Sequence, residues 1–195
     1  MKKHYYGYIN DVIDDRDYLY SVVAPAEEEL PSEIDLRNLC SPVRDQGKLG
    51  SCSAMSIISG YREFMMIATK SNYITLSPLY FYYKEREREG NTNYDSGATL
   101  RTGMKVLNKT GCCEESLFPY DEMMFKKRPS CKINRNAKLY TISSYRRLIT
   151  LFDMKDCHAD GHGFVFGLKL FSSFEGDFVD DTGIVPMPED TEEYL

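Results

Sequence analysis

The stretch from Gln46 to Met65 constrains this chain more than any other. Ala54, Ile57, Ile58, Tyr61, Phe64 and Met65 recur at spacings of three and four, which places them in one stripe along a helix. The run before it, Gln46-Gly47-Lys48-Leu49-Gly50-Ser51, carries two glycines and reads as a loop. The helix therefore begins close to Cys52, with the thiol in its first turn. A chain of 195 residues, 42% hydrophobic and 28% charged, is long enough to close a substantial core over that stripe.

Helices dominate the first two thirds. Ser77 is an N-cap with Pro78 in the first helical position, and the helix runs through Leu79-Tyr80-Phe81-Tyr82-Tyr83. It continues into Lys84-Glu85-Arg86-Glu87-Arg88-Glu89, whose alternating signs predict a solvated face. A third helix spans about 98–108, with Leu100, Met104 and Leu107 inward and Gly111 as its stop. Further on, Leu139–Ile142 is a strand candidate, 148–159 a helix and Phe164–Phe171 a buried strand between glycines. Helices first and strands second predict an α+β protein with a helical and a β lobe. Residues 1–30 read as a leader. Asp11, Asp14, Asp15 and Asp17 alternate there with apolar residues, and Ala24-Pro25-Ala26-Glu27-Glu28-Glu29 reads as an exposed linker.

Several function classes recede on composition. The chain holds 24 basic and 30 acidic residues, a net charge of −6, with no basic stripe for phosphates, so no nucleic acid is expected. No apolar run approaches 18 residues, and no membrane partner is expected. Lys2, Lys3 and His4 are not followed by an apolar stretch, so a secretory signal is not expected and the cytosol is the default compartment. Reduced thiols follow for Cys40, Cys52, Cys112, Cys113, Cys131 and Cys157, with one disulfide among Cys112, Cys113 and Cys131 left open. Adjacent Cys112-Cys113 and the pair Cys157-His158 do not match spaced metal-ligand pairs, so no metal and no cofactor is expected.

A cysteine at a helix start is ordinarily a small buried hydrophobe. The neighbours of Cys52 argue for more. Thiolate is the nucleophilic form, and a helix N-terminus favours it. Gly47 and Gly50 let backbone approach a substrate closely. The Gln46 amide is a donor for an oxyanion forming on an attacked carbonyl. Donor, glycine loop and thiol describe half of an acyl-transfer site.

Pro42 through Ser56 resembles the active-site signature of the papain and cathepsin family of cysteine peptidases. So do Leu30–Arg37 as the start of the mature domain, Leu76-Ser77-Pro78 as a helix start, and Asp95-Ser96-Gly97-Ala98 as a glycine-rich cleft wall. Glu115-Ser116-Leu117-Phe118-Pro119-Tyr120 is similar to another family segment. The leader Tyr6–Asp11 and Asp15-Arg16-Asp17 is similar to that of bacterial and archaeal members. The resemblance implies a two-lobed papain-like fold over 31–195, with a leader or pro-like segment at 1–30. It implies proteolysis through a thioester at Cys52, with Gln46 as oxyanion donor beside the Cys52 backbone N–H. Gly97 and Ala98 would bind extended peptide or protein substrate by strand-like pairing.

Three departures accompany the likeness. Leu49 and Asp95 stand where secreted members carry a disulfide pair. Ser53 replaces the aromatic after the nucleophile. The third concerns the general base. The family's histidine and asparagine lie about 130–150 residues after the cysteine, and no histidine of this sequence falls there. His158 and His162 flank the turn before Phe164, which is not the catalytic position. The expectation is a helical lobe largely present, a β lobe incomplete, and a domain incomplete at its C-terminus. Two readings stay open: a cysteine peptidase, or an inactive papain-like scaffold that binds peptide or a partner. A second chain completing the β lobe is the partner expected for such a domain.

Overall fold

The computed structural model describes residues 8–21 and 30–193. His4, Tyr6-Gly7 and the linker at 24–29 lie outside the described residues. The chain divides into two compact units, Met1–Val165 and Phe166–Leu195.

The first unit is helical and is built on one long helical run. It starts as α1 (Cys52–Ala54), widens into a π-helical segment (Met55–Arg62), and returns to α geometry in α2 (Glu63–Ala68). The π segment explains a shift in the apolar stripe. Ala54, Ile57, Ile58 and Phe64 are buried as the spacing predicts, but Met66 rather than Met65 completes the face. A π turn takes more residues than an α turn, so the side chains beyond it are rotated.

Helix α3 (Pro78–Glu89) is capped as the sequence predicts, with the Ser77 hydroxyl accepting the Tyr80 N–H. It packs against α1 and against α4 (Leu100–Lys109). Leu79, Tyr80, Phe81 and Tyr82 are fully buried, so α3 is enclosed on several sides rather than amphipathic. The charged run is a correction: Glu85 and Arg86 are completely buried. Arg86 lies over the Tyr82 ring at 4.2 Å and donates to the carbonyls of Thr92, Tyr94 and Phe125. These carbonyls replace the water that a guanidinium loses on burial, which allows a charge in the core.

Leu100 and Met104 pack at the margin of the core, and Leu107 is fully buried, as the periodicity predicts. Helix α5 (Cys131–Ala137) follows. Helix α6 (Leu151–Ala159) realises the 148–159 expectation through a capping box of Thr150 and Asp153. Residues 139–142 are a second correction. Lys138–Tyr140 form a 3-10 turn, and the chain is tied by Asn108 Nδ2 donating to the carbonyls of Ile142 and Ser143. That amide holds the segment without a strand partner. The only sheet among the described residues is β1 (Tyr8–Ile9) paired parallel with β2 (Ala98–Thr99), in the register Tyr8↔Ala98 and Ile9↔Thr99.

Residues 11–20, after β1, are held on the rest of the first unit by hydrogen bonds to charged side chains. Asp17 accepts from Arg101 and Arg147, and Asp11 accepts the Arg101 backbone N–H. Tyr20 donates its hydroxyl to Asp156 and Asp160.

The second unit contains a short 3-10 turn (Ser172–Glu175) and α7 (Asp177–Thr182). Ser172 N–H donates to the Glu193 carbonyl, and Ser173 N–H to the Glu192 carboxylate. Phe164–Phe171 is a third correction. It is not a strand, and Phe166 and Leu168 are exposed. The backbone is irregular from Phe164 to Leu170 and forms a single β-bridge at Phe171, so the apolar run is not extended into a ladder.

Candidate active site

Three groups fix the loop that feeds Cys52. Arg44 donates to the fully buried Glu63 carboxylate at 2.7 Å and to the Leu76 carbonyl at 3.1 Å. Glu63 also accepts the Leu76 N–H and the Tyr73 hydroxyl. This cluster ties the loop's start to α2. Tyr120 then reaches under the loop, donating to the Gln46 carbonyl at 2.8 Å and lying 2.7 Å from the Ser51 hydroxyl. Burial and its surroundings push the Tyr120 phenol up to about 12, so it stays a neutral donor at ordinary pH. Finally, the Asp95 carboxylate accepts the Gly50 N–H at 3.0 and 3.1 Å.

Within that frame Gly47 turns at φ +62°, a left-handed conformation that side chains rarely adopt. Its N–H donates to Asp45 at 2.7 Å. The Gln46 side-chain amide donates to the Leu49 carbonyl at 2.9 Å, so its nitrogen faces the inside of the loop that leads to the thiol. Gly50 and Ser51 are buried, and Cys52 is half-buried in the first turn of the helical run.

Behind the thiol, Ser53 donates to Glu85 at 2.9 Å. Glu85 is fully buried, and desolvation holds its carboxyl well above the ordinary range. A small hydroxyl and a buried acid thus fill the space beside the nucleophile position. Ser53 standing in place of an aromatic residue is legible in the sequence; Glu85, 32 residues away, is not.

Gly97 sits at φ +68° and donates its N–H to the Tyr82 hydroxyl at 3.0 Å. Tyr82 in turn donates to Asp95. The structure therefore joins the loop before Cys52 to Gly97 through two side chains. Ala98 is paired by the leader strand at Tyr8.

The histidines lie elsewhere. His158 is the penultimate residue of α6, 3.4 Å through Nδ1 from the His162 carbonyl and edge-on to Phe164. The adjacent Gly163 packs on the Phe64 ring. Phe64 lies in α2, beyond the π-helical segment that separates it from the turn carrying Cys52. His158 and His162 thus flank the turn that lies at Phe64 of α2.

Known proteins resemble this chain in sequence and in fold. A family model for papain family cysteine proteases matches residues 30–159. A peptidase C1-like protein of Acanthamoeba polyphaga mimivirus is 32% identical over 97% of this chain and 69% of its own length. Peptidase 1 of Euroglyphus maynei is 30% identical over 60% of this chain, a match that spans 33% of that protein. Among solved structures, xylellain, a cysteine protease from Xylella fastidiosa, superposes with a TM-score of 0.82 at 34% identity. That match covers 97% of this chain and 75% of xylellain. The α+β fold is therefore papain-like, with the helical lobe present and the β lobe incomplete among the described residues.

Proposed function

The chain belongs to the papain family of cysteine proteases, and on that premise we propose that it attacks peptide bonds through Cys52. The observation that carries this reading is the thiol's place in the first turn of the helical run, behind a loop held by Arg44, Tyr120 and Asp95. The Cys52 sulfur bonds to the peptide carbonyl carbon, and the Gln46 amide and Cys52 N–H receive the developing oxyanion. The C–N bond then breaks, the amine leaves with a proton, and a thioester remains. Water cleaves the thioester and returns the thiol.

Gly97 and Ala98 form the wall for extended substrate. In the full chain the leader pairs with Ala98 and Thr99, and it occupies this edge until displaced. The partner that fits this reading is a second chain that completes the β lobe.

The test is mass spectrometry of the folded chain after exposure to a peptidyl epoxide. A single adduct on Cys52, absent from Cys52→Ala, is expected. A folded chain that shows no adduct overturns the reading. The position of His158 and His162 favours a second reading, a scaffold that binds peptide without cleaving it. Turnover of an unstructured substrate by the purified chain, lost in Cys52→Ala, rules the second reading out.

A further inference from the structure

We propose that Asp95 is a positioning residue, which holds the nucleophile loop and the substrate wall in one register through Tyr82. This rests on the reading of Cys52 as nucleophile and of Gly97-Ala98 as wall.

The argument starts from hydrogen-bond connectivity. Gly50 is two residues before the thiol, and its N–H is directed at both Asp95 oxygens. The same carboxylate accepts the Tyr82 hydroxyl. The Tyr82 oxygen then accepts the Gly97 N–H. One carboxylate therefore fixes a backbone amide on each side of the cleft, one directly and one through a phenol.

Tyr82 is suited to act as a rigid spacer. It is fully buried in α3, and its ring is covered by the Arg86 guanidinium at 4.2 Å. Arg86 is itself held by three backbone carbonyls. The phenol oxygen thus has little freedom to move relative to the helix. Asp95 is solvent-facing, yet its two partners, Gly50 and Tyr82, are buried. Charge-assisted hydrogen bonds to such donors are shorter and stronger than neutral ones. Displacements of about 1 Å in a reacting geometry cost up to 100-fold in rate, so a link across the cleft acts on peptide binding and attack together.

The experiment uses the full chain and two readouts. The first is amide hydrogen exchange at Gly50 and Gly97 by NMR. Asp95→Ala is expected to speed exchange at both sites at least tenfold. Tyr82→Phe is expected to speed Gly97 alone, leaving Gly50 within twofold of the parent. The second is the labelling rate of Cys52 by a peptidyl epoxide and by iodoacetamide. Both variants should lose about tenfold with the peptidyl reagent while iodoacetamide labelling stays within twofold. Asp95→Asn, which keeps one acceptor oxygen and the side-chain volume, should fall between the parent and Asp95→Ala in both readouts. Unchanged exchange at Gly50 and Gly97 in Asp95→Ala overturns the proposal. An equal fall with both reagents also overturns it, because a loop that merely unfolds treats them alike. If the parent shows no preference for the peptidyl reagent, it is the peptidase reading that fails, and exchange at Gly50 and Gly97 still decides the role of Asp95.

Discussion

Single side chains of this protein are governed by what surrounds them more than by their type. Glu85 shows this most directly. Its carboxyl is buried against Ser53 and Gly103, and desolvation keeps it protonated above the ordinary carboxylate range. The unfolded chain releases that proton near the usual value, about 4.3. Stability from the raised value is therefore complete below that pH and declines as pH rises towards the folded value. Glu85→Gln cannot ionise and removes this slope, so the variant should gain on the parent steadily from pH 5 to pH 8 in urea melts. Glu63 behaves differently. It is fully buried but meets Arg44, Tyr73 and the Leu76 N–H. Glu63→Ala leaves those donors without their acceptor and should cost about 3 kcal/mol in the same melts. Both glutamates are visible in the sequence, and nothing local tells them apart. Their partners come from residues 10 to 32 positions away.

At the scale of elements, local signals were most reliable where the element satisfies itself. The Ser77-Pro78 start and the Thr150–Asp153 box each close hydrogen bonds within one turn, and both helices form as the sequence predicts. Strands behave otherwise, since their hydrogen bonds belong to a neighbour. Leu139–Ile142 and Phe164–Phe171 carry apolar strand composition, yet neither forms a strand: the first holds a 3-10 turn and the second only a bridge at Phe171. Helix α3 is the element whose loss would be felt most. Phe81→Ala removes a fully buried ring from its centre and should cost 3–5 kcal/mol by calorimetry or urea melt. The leader is an element held by electrostatics. The hydrogen bond from Arg101, reinforced by Arg147, holds the Asp17 carboxyl below the usual carboxylate range. A lowered value stabilises docking above the ordinary carboxylate pKa, and that contribution is lost as pH falls through the folded value. The leader should accordingly stay docked at pH 5 and loosen only below about pH 4. Asp17→Asn should loosen it at neutral pH, seen as faster limited proteolysis within residues 8–21.

At the scale of the whole molecule, the sequence by itself determined the papain family and its fold class. The loop from Gln46 to Cys52 and the helix after it are contiguous, and their glycines, thiol and apolar spacing act over a few residues. It also showed the lack of a histidine at the expected distance from Cys52. Only the tertiary structure decided how the loop is held. Asp95, Tyr82, Tyr120 and Glu63 lie 13 to 74 residues from the backbone atoms they fix. It also decided that Glu85 and Arg86 are core rather than surface, and that His158 and His162 flank the turn whose Gly163 lies at Phe64 of α2. The physical reason is the same in each case. Capping, periodicity and loop chemistry are short-range and are written in neighbouring residues. Burial and long-range hydrogen bonding depend on which segments the fold packs together, and that is fixed only when the core closes.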